Sequence, residues 1–141
     1  MRNKRFVLDP NIYISYFISR NQNTLAALAI KYKLEFVICD ELIAEFRRVL
    51  GYPRLARFKI DVKQAVNFVM TLGTNYLLGY PIRRYIPQDE NDDYLIALAL
   101  QSSSGYITSG DNDILSQRKN LERRYKKLKI LTKAEFEQMF A

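Results

Sequence analysis

Short apolar runs alternate along this chain with helical segments, and within each run the apolar character is continuous. Phe6-Val-Leu8, Glu35-Phe-Val-Ile-Cys39, Gly105-Tyr-Ile-Thr-Ser109 and Leu128–Leu131 read as strands. Strands that are apolar throughout are covered on both faces, and strands separated by helices pair in parallel through βαβ crossovers. The pattern predicts an α/β fold: an open, mostly parallel sheet flanked by helices. A chain of 141 residues makes one domain, residues 1–141, long enough to bury its own core.

The helix starts are marked by acids and hydroxyls. Asp9-Pro10 pairs an N-cap with a proline in the first turn. Asn23 or Thr24 opens a second helix, through about Lys33. Asp40 caps a helix that ends at Gly51-Tyr-Pro53, and Asp61 caps one that ends near Gly73. Asn75–Tyr80 reads as a short strand and Pro81 to Glu90 as loop. Asp92 or Asp93 caps Tyr94–Leu100, and Asp111 opens a short helix. Thr132-Lys-Ala-Glu135 is a capping box for a terminal helix.

Histidine is absent and Cys39 is the only cysteine. Ser-His-Asp and Cys-His catalysis, imidazole zinc sites and internal disulfides are therefore excluded. A single cysteine fits a reducing cytoplasm. No stretch approaches a membrane span. The basic start Met1–Arg5 is followed by an apolar run that stops at Asp9, too short for an export signal. The 22 Lys and Arg against 15 Asp and Glu leave a net charge of +7, which suits a polyanionic partner.

Within this basic chain, three strand-like runs lead directly into carboxylates: Asp9, Asp40-Glu41 and Asp111. Parallel sheets bind ligands at the carboxyl ends of their strands. A fourth acidic run, Asp89-Glu-Asn-Asp92-Asp93, opens a helix that can face the same edge. Each Asp could serve only as an N-cap, worth about 1 kcal/mol, but Asn and Ser cap equally well. Capping also leaves out Glu45, inside its helix at the border of the apolar face, where the plain alternative is a surface pair with Arg48. Converging carboxylates repel, and a divalent cation relieves that repulsion.

The segments "FVLDPNIYIS", "ELIAEFRRVLGYPRL", "DENDDYLIALAL" and "GYITSGDNDIL" follow one another over residues 6–115. In this order they resemble PIN-domain proteins, and in particular the VapC-like ribonuclease toxins of toxin–antitoxin pairs. The resemblance implies a Rossmann-like fold and hydrolysis of single-stranded RNA with Mg²⁺ or Mn²⁺. It implies Asp9, Glu45, Asp92 and Asp111 as the metal-binding acids, Asp113 as an accessory acid and Asn11 as a brace for Asp9. Asp93 competes with Asp92 for its place; Asp92 is favoured because Ala99 then falls at the expected seventh position. Pro10 stands where the family carries Thr or Ser, which removes a hydroxyl and an N–H beside Asp9. The implied partners are RNA, an antitoxin protein and a second copy of the chain. Arg47, Arg48, Arg54, Arg57, Lys59, Arg83 and Arg84 are candidates for the RNA backbone, with Tyr52, Phe58 and Tyr85 interleaved for stacking. The basic run Arg118–Lys129 reads as an RNA arm, a site for an acidic partner or a solvated loop. The competing reading is a PIN-like module that binds nucleic acid or protein without cutting.

Overall fold

The computed structural model describes residues 3–141; Met1 and Arg2 of the basic start lie outside the described residues. Five strands form one sheet: β1 (Arg5–Leu8), β2 (Glu35–Ile38), β3 (Thr74–Asn75), β4 (Tyr106–Thr108) and β5 (Lys129–Leu131). Their order is β3-β2-β1-β4-β5. Every neighbouring pair is parallel. The helices are α1 (Pro10–Ile18), α2 (Asn23–Tyr32), α3 (Asp40–Leu50), α4 (Val62–Leu72), α5 (Asp93–Gln101), α6 (Asn112–Ser116), α7 (Arg118–Arg124) and α8 (Lys133–Gln138). No helix among the described residues is long and apolar enough to cross a membrane.

The chain steps outward from β1 to β2 and β3, then returns to the other side of β1 for β4 and β5. The strand order therefore reverses between β1 and β4, the place where parallel sheets open a crevice at their carboxyl ends. The register makes those ends level. Leu8 pairs with Thr108, and the Asp9 N–H donates to the Thr108 carbonyl at 2.9 Å.

The core explains why the strand runs are uniformly apolar. Phe6, Val7 and Leu8 are fully buried. The Phe6 ring stacks on Tyr106 at 4.6 Å and meets Phe136 of α8 edge-on at 5.4 Å. Leu95 to Ala99 of α5 are all buried, and α5 packs against β1, β2 and β4. A helix apolar all round is one enclosed all round. By contrast α3 buries Leu42, Ile43, Phe46, Val49 and Leu50 and leaves Arg47 and Arg48 exposed.

Several local expectations change. Cys39, not Asp40, is the N-cap of α3, in extended backbone and without a side-chain cap bond; Asp40 is already helical. Gln22 precedes α2 at the N-cap, so neither Asn23 nor Thr24 caps it. The third strand is only Thr74–Asn75 rather than residues 75–80. Gly73 leads into it, and a Cβ there would lie 2.8 Å from Ile38 side-chain carbons, so glycine permits the close approach. Part of the basic run is ordered as α7, with Arg118 held in a fork by Glu135 at 2.9 and 3.0 Å.

The capping box at Thr132 and Glu135 is present, and it launches α8 so that Phe136 reaches Phe6 and Phe36. Phe136→Ala should cost about 3–5 kcal/mol in urea unfolding and Thr132→Ala about 1 kcal/mol. Equal, small losses for both would contradict this packing.

Candidate active site

The β1–β4 switch point carries an acid on each side. Asp9 follows β1, is buried, and acts as the N-cap of α1. Its Oδ1 accepts the Asn11 backbone N–H at 3.0 Å, and its Oδ2 accepts the Ser109 hydroxyl at 2.9 Å. The brace from Asn11 is thus its backbone; the side chain is exposed. Ser109 in turn accepts the Asp111 N–H at 3.0 Å. Asp111 caps α6 through the N–H groups of Asp113 and Ile114, at 2.7 and 3.3 Å. One continuous hydrogen-bond chain therefore ties the end of β1 to the start of α6. Asp113 contributes its amide to that chain and keeps its own carboxylate half-exposed.

Glu45 approaches from α3. Its Oε1 accepts the hydroxyl of Tyr94 at 2.8 Å. Tyr94 is largely buried, and desolvation together with the Glu45 charge pushes its pKa far up, so it acts as a permanent donor.

Asp92 and Asp93 have separate tasks. Both are buried. The Asp93 Oδ1 accepts the N–H groups of Tyr85 and Ile86 at 2.9 and 2.7 Å, and Oδ2 accepts Arg84 Nε at 2.9 Å. Asp93 folds the 81–90 loop onto α5 and has little left to offer a ligand. The Asp92 side chain does not cap α5, because a 3₁₀ turn at Glu90–Asp92 runs straight into the helix. Its Oδ2 is buried with no hydrogen-bond partner. Buried polar atoms are rarely left so, and this one needs a reason.

The four acids share one electrostatic neighbourhood. Burial raises the Asp9 carboxyl to about 6, and the charges of Glu45 and Asp111 push the same way. Burial raises Asp92 to about 8, helped by Asp111, Asp89, Asp9 and Glu45. Asp89 also belongs to this field. Among the described residues, however, no three His, Cys, Asp or Glu side chains form a ready-made metal-ligand set. Asp40 and Glu41 do not join them. Asp40 is exposed and the Glu41 carboxylate accepts the Tyr80 hydroxyl.

Of the basic candidates, Arg47, Arg48, Arg54, Arg57, Lys59 and Arg83 are exposed. Arg84 is committed to Asp93, with Glu90 at 3.8 Å, which removes it as a free phosphate contact. Arg54 lies over Tyr52 and Arg57 over Phe58, at 5.7 and 4.7 Å from the ring centres. Tyr85 meets Tyr125 edge-on. Sequence reasoning missed Ser109 and Tyr94. Each lies within two residues of a flagged acid, in Ser109-Gly-Asp111 and Asp92-Asp-Tyr94 respectively.

The PIN domain family model matches residues 5–113, and the chain belongs to that family. No curated protein matches the sequence. A chain of the crystal structure of VapBC2 from Rickettsia felis, bound to a DNA fragment from their promoter, is similar with a TM-score of 0.57 and 12% identity. The likeness spans 91% of this chain and 98% of that one, and extends the shared fold beyond residue 113.

Raised carboxyl pKa values mean that the folded chain holds these protons more tightly than the unfolded one. The stability from Asp9 and Asp92 is complete below about pH 4 and is lost as pH rises through about 6 and about 8. In metal-free protein at pH 8, Asp92→Asn should therefore raise the melting temperature. Asp93→Ala should lower stability by about 2–4 kcal/mol, because two loop amides lose their acceptor. The reverse ordering would show that the two roles are exchanged.

Proposed function

We propose that this PIN-domain protein is a divalent-metal-dependent endoribonuclease acting on single-stranded RNA in the cytoplasm, as the toxin of a toxin–antitoxin pair. The observation that carries the reading is the buried, unpartnered Asp92 oxygen in the shared field of Asp9, Glu45 and Asp111. An all-carboxylate donor set is hard and suits Mg²⁺ or Mn²⁺ rather than softer metals. Asp9, Glu45, Asp92 and Asp111 would hold the ion, with Asp113 at the margin. When bound, such an ion supplies Lewis-acid stabilisation of the phosphate and a more acidic water.

The chain's own residues supply position and charge. Ser109 and the Asn11 amide fix both oxygens of Asp9. Tyr94 holds Glu45 toward the cluster. The exposed arginines beside α3 attract the RNA backbone, an interaction that weakens with salt. The chain has no histidine, and its single cysteine is buried with its thiol pushed up to about 12 by burial. Attack by water rather than by a protein nucleophile fits that inventory. The likeness to a VapBC2 chain supports a toxin–antitoxin setting and an antitoxin protein as partner.

Cleavage of single-stranded RNA should stop with EDTA and return with Mn²⁺. Asp111→Asn should reduce turnover by roughly a hundredfold or more while melting temperature holds, since Asn caps α6 about as well. Tight RNA binding with no metal-dependent cleavage across several RNA pools would instead favour the non-cutting module.

A further inference from the structure

A cleft of about 340 Å³ lies where the end of α1, the start of α2 and the start of α4 meet, away from the acidic edge. Phe17, Phe58 and Phe68 line it, all half-buried, with Arg20 and Lys59 at the same cleft. Phe17 and Phe68 pack edge to face at 5.6 Å, which fixes the aromatic wall. Gln22 completes the lining, and its Oε1 is buried without a hydrogen-bond partner. The α2 N-cap position that Gln22 occupies does not use the side chain. The terminal amide torsion of glutamine is soft and roughly two-fold, so turning the amide over can offer either its oxygen or its NH₂ to a ligand in the cleft.

Arg20 and Lys59 both sit in left-handed backbone, at φ 56° and 52°. Such positions favour glycine, so a long basic side chain there is held at some conformational cost. Among the described residues neither has an ion-pair partner. The one acid lining the cleft, Asp61, is engaged as the N-cap of α4 through the Gln64 N–H at 2.9 Å.

Aromatic walls, an amide edge in need of a partner and two free cations match one ligand chemistry: a planar base bearing a phosphate. We propose that this cleft is a nucleotide subsite that receives an unpaired base of the RNA strand, outside the acidic centre. The assignment to RNA rests on the nuclease reading above. Seven residues of α1 separate Pro10, beside Asp9, from Phe17, a rise of about 10 Å. A strand of a few nucleotides spans that distance, so one base can sit in the cleft while a phosphate lies at the acids. A base there sets sequence preference through Gln22, whereas the acids are indifferent to sequence.

Calorimetry in EDTA, where no cleavage proceeds, tests the cleft apart from catalysis. The ligands are AMP, GMP, CMP, UMP, inorganic phosphate, single-stranded RNA tetranucleotides and an acidic aromatic peptide. At least one mononucleotide should bind about tenfold more tightly than phosphate, and its tetranucleotide more tightly still. Gln22→Leu should reduce that affinity by about tenfold while holding or raising the melting temperature, because it removes a buried orphan. Nucleotides binding no better than phosphate, or Gln22→Leu binding them unchanged, would overturn the subsite. Equal affinity for mononucleotide and tetranucleotide would overturn the RNA assignment and point to a free nucleotide. Tighter binding of the peptide than of any nucleotide would give the cleft to a protein partner. A protein that binds nucleotides here through Gln22 yet never cuts RNA would uphold the subsite and overturn the nuclease reading alone.

Discussion

Carboxylates crowded at one sheet edge, with one of them buried at the end of the central strand, are the condition around which the rest of this fold is arranged. Asp9 sits at the end of the central strand, out of water, within the fields of Glu45 and Asp111. The desolvation cost alone would favour an apolar residue there. The fold instead assigns donors to this acid from two directions, the amide of α1 and the hydroxyl of Ser109. Those bonds require β1 and β4 to end level, which the Leu8–Thr108 register provides. Sheet order, register and helix starts thus serve one crowded edge.

The same edge shows how two identical neighbours diverge. Asp93 faces two loop amides and a guanidinium and is fully satisfied; Asp92 faces other carboxylates and keeps an oxygen without a partner. Burial is similar for both, so the difference lies in partners alone. Asp93 organises the loop that delivers Asp92, which makes a structural residue a precondition for the site beside it. The whole chain carries a net charge of +7 despite this acidic patch, so a polyanion is attracted broadly while its entry to the acidic edge needs charge compensation.

Much of this was legible in the sequence because local chemistry decides it. The continuous apolar runs foretold enclosed parallel strands, and Asp9, Asp61, Asp111 and Thr132 each cap the helix expected of them. What escaped depends on tertiary placement. Asp40 has the right type for a cap, but the chain turns into helix one residue earlier, at Cys39. Ser109 meets Asp9 across 100 residues of sequence, a distance no local pattern encodes. The pairing of Arg84 with Asp93 depends on a loop whose path is set by the acid it meets. The orphaned oxygens of Asp92 and Gln22 are visible only once neighbours are in place.

The central claim is that the acids at the β1–β4 switch point form a divalent-cation site. Its most direct test is anomalous diffraction from crystals equilibrated with Mn²⁺ near neutral pH. The expected result is a strong anomalous peak coordinated by oxygens of Asp9, Asp92 and Asp111, with Glu45 drawn toward it and Asp93 still bound to Arg84. No peak at that edge, or a peak ligated by Asp93 in place of Asp92, would contradict the site as described.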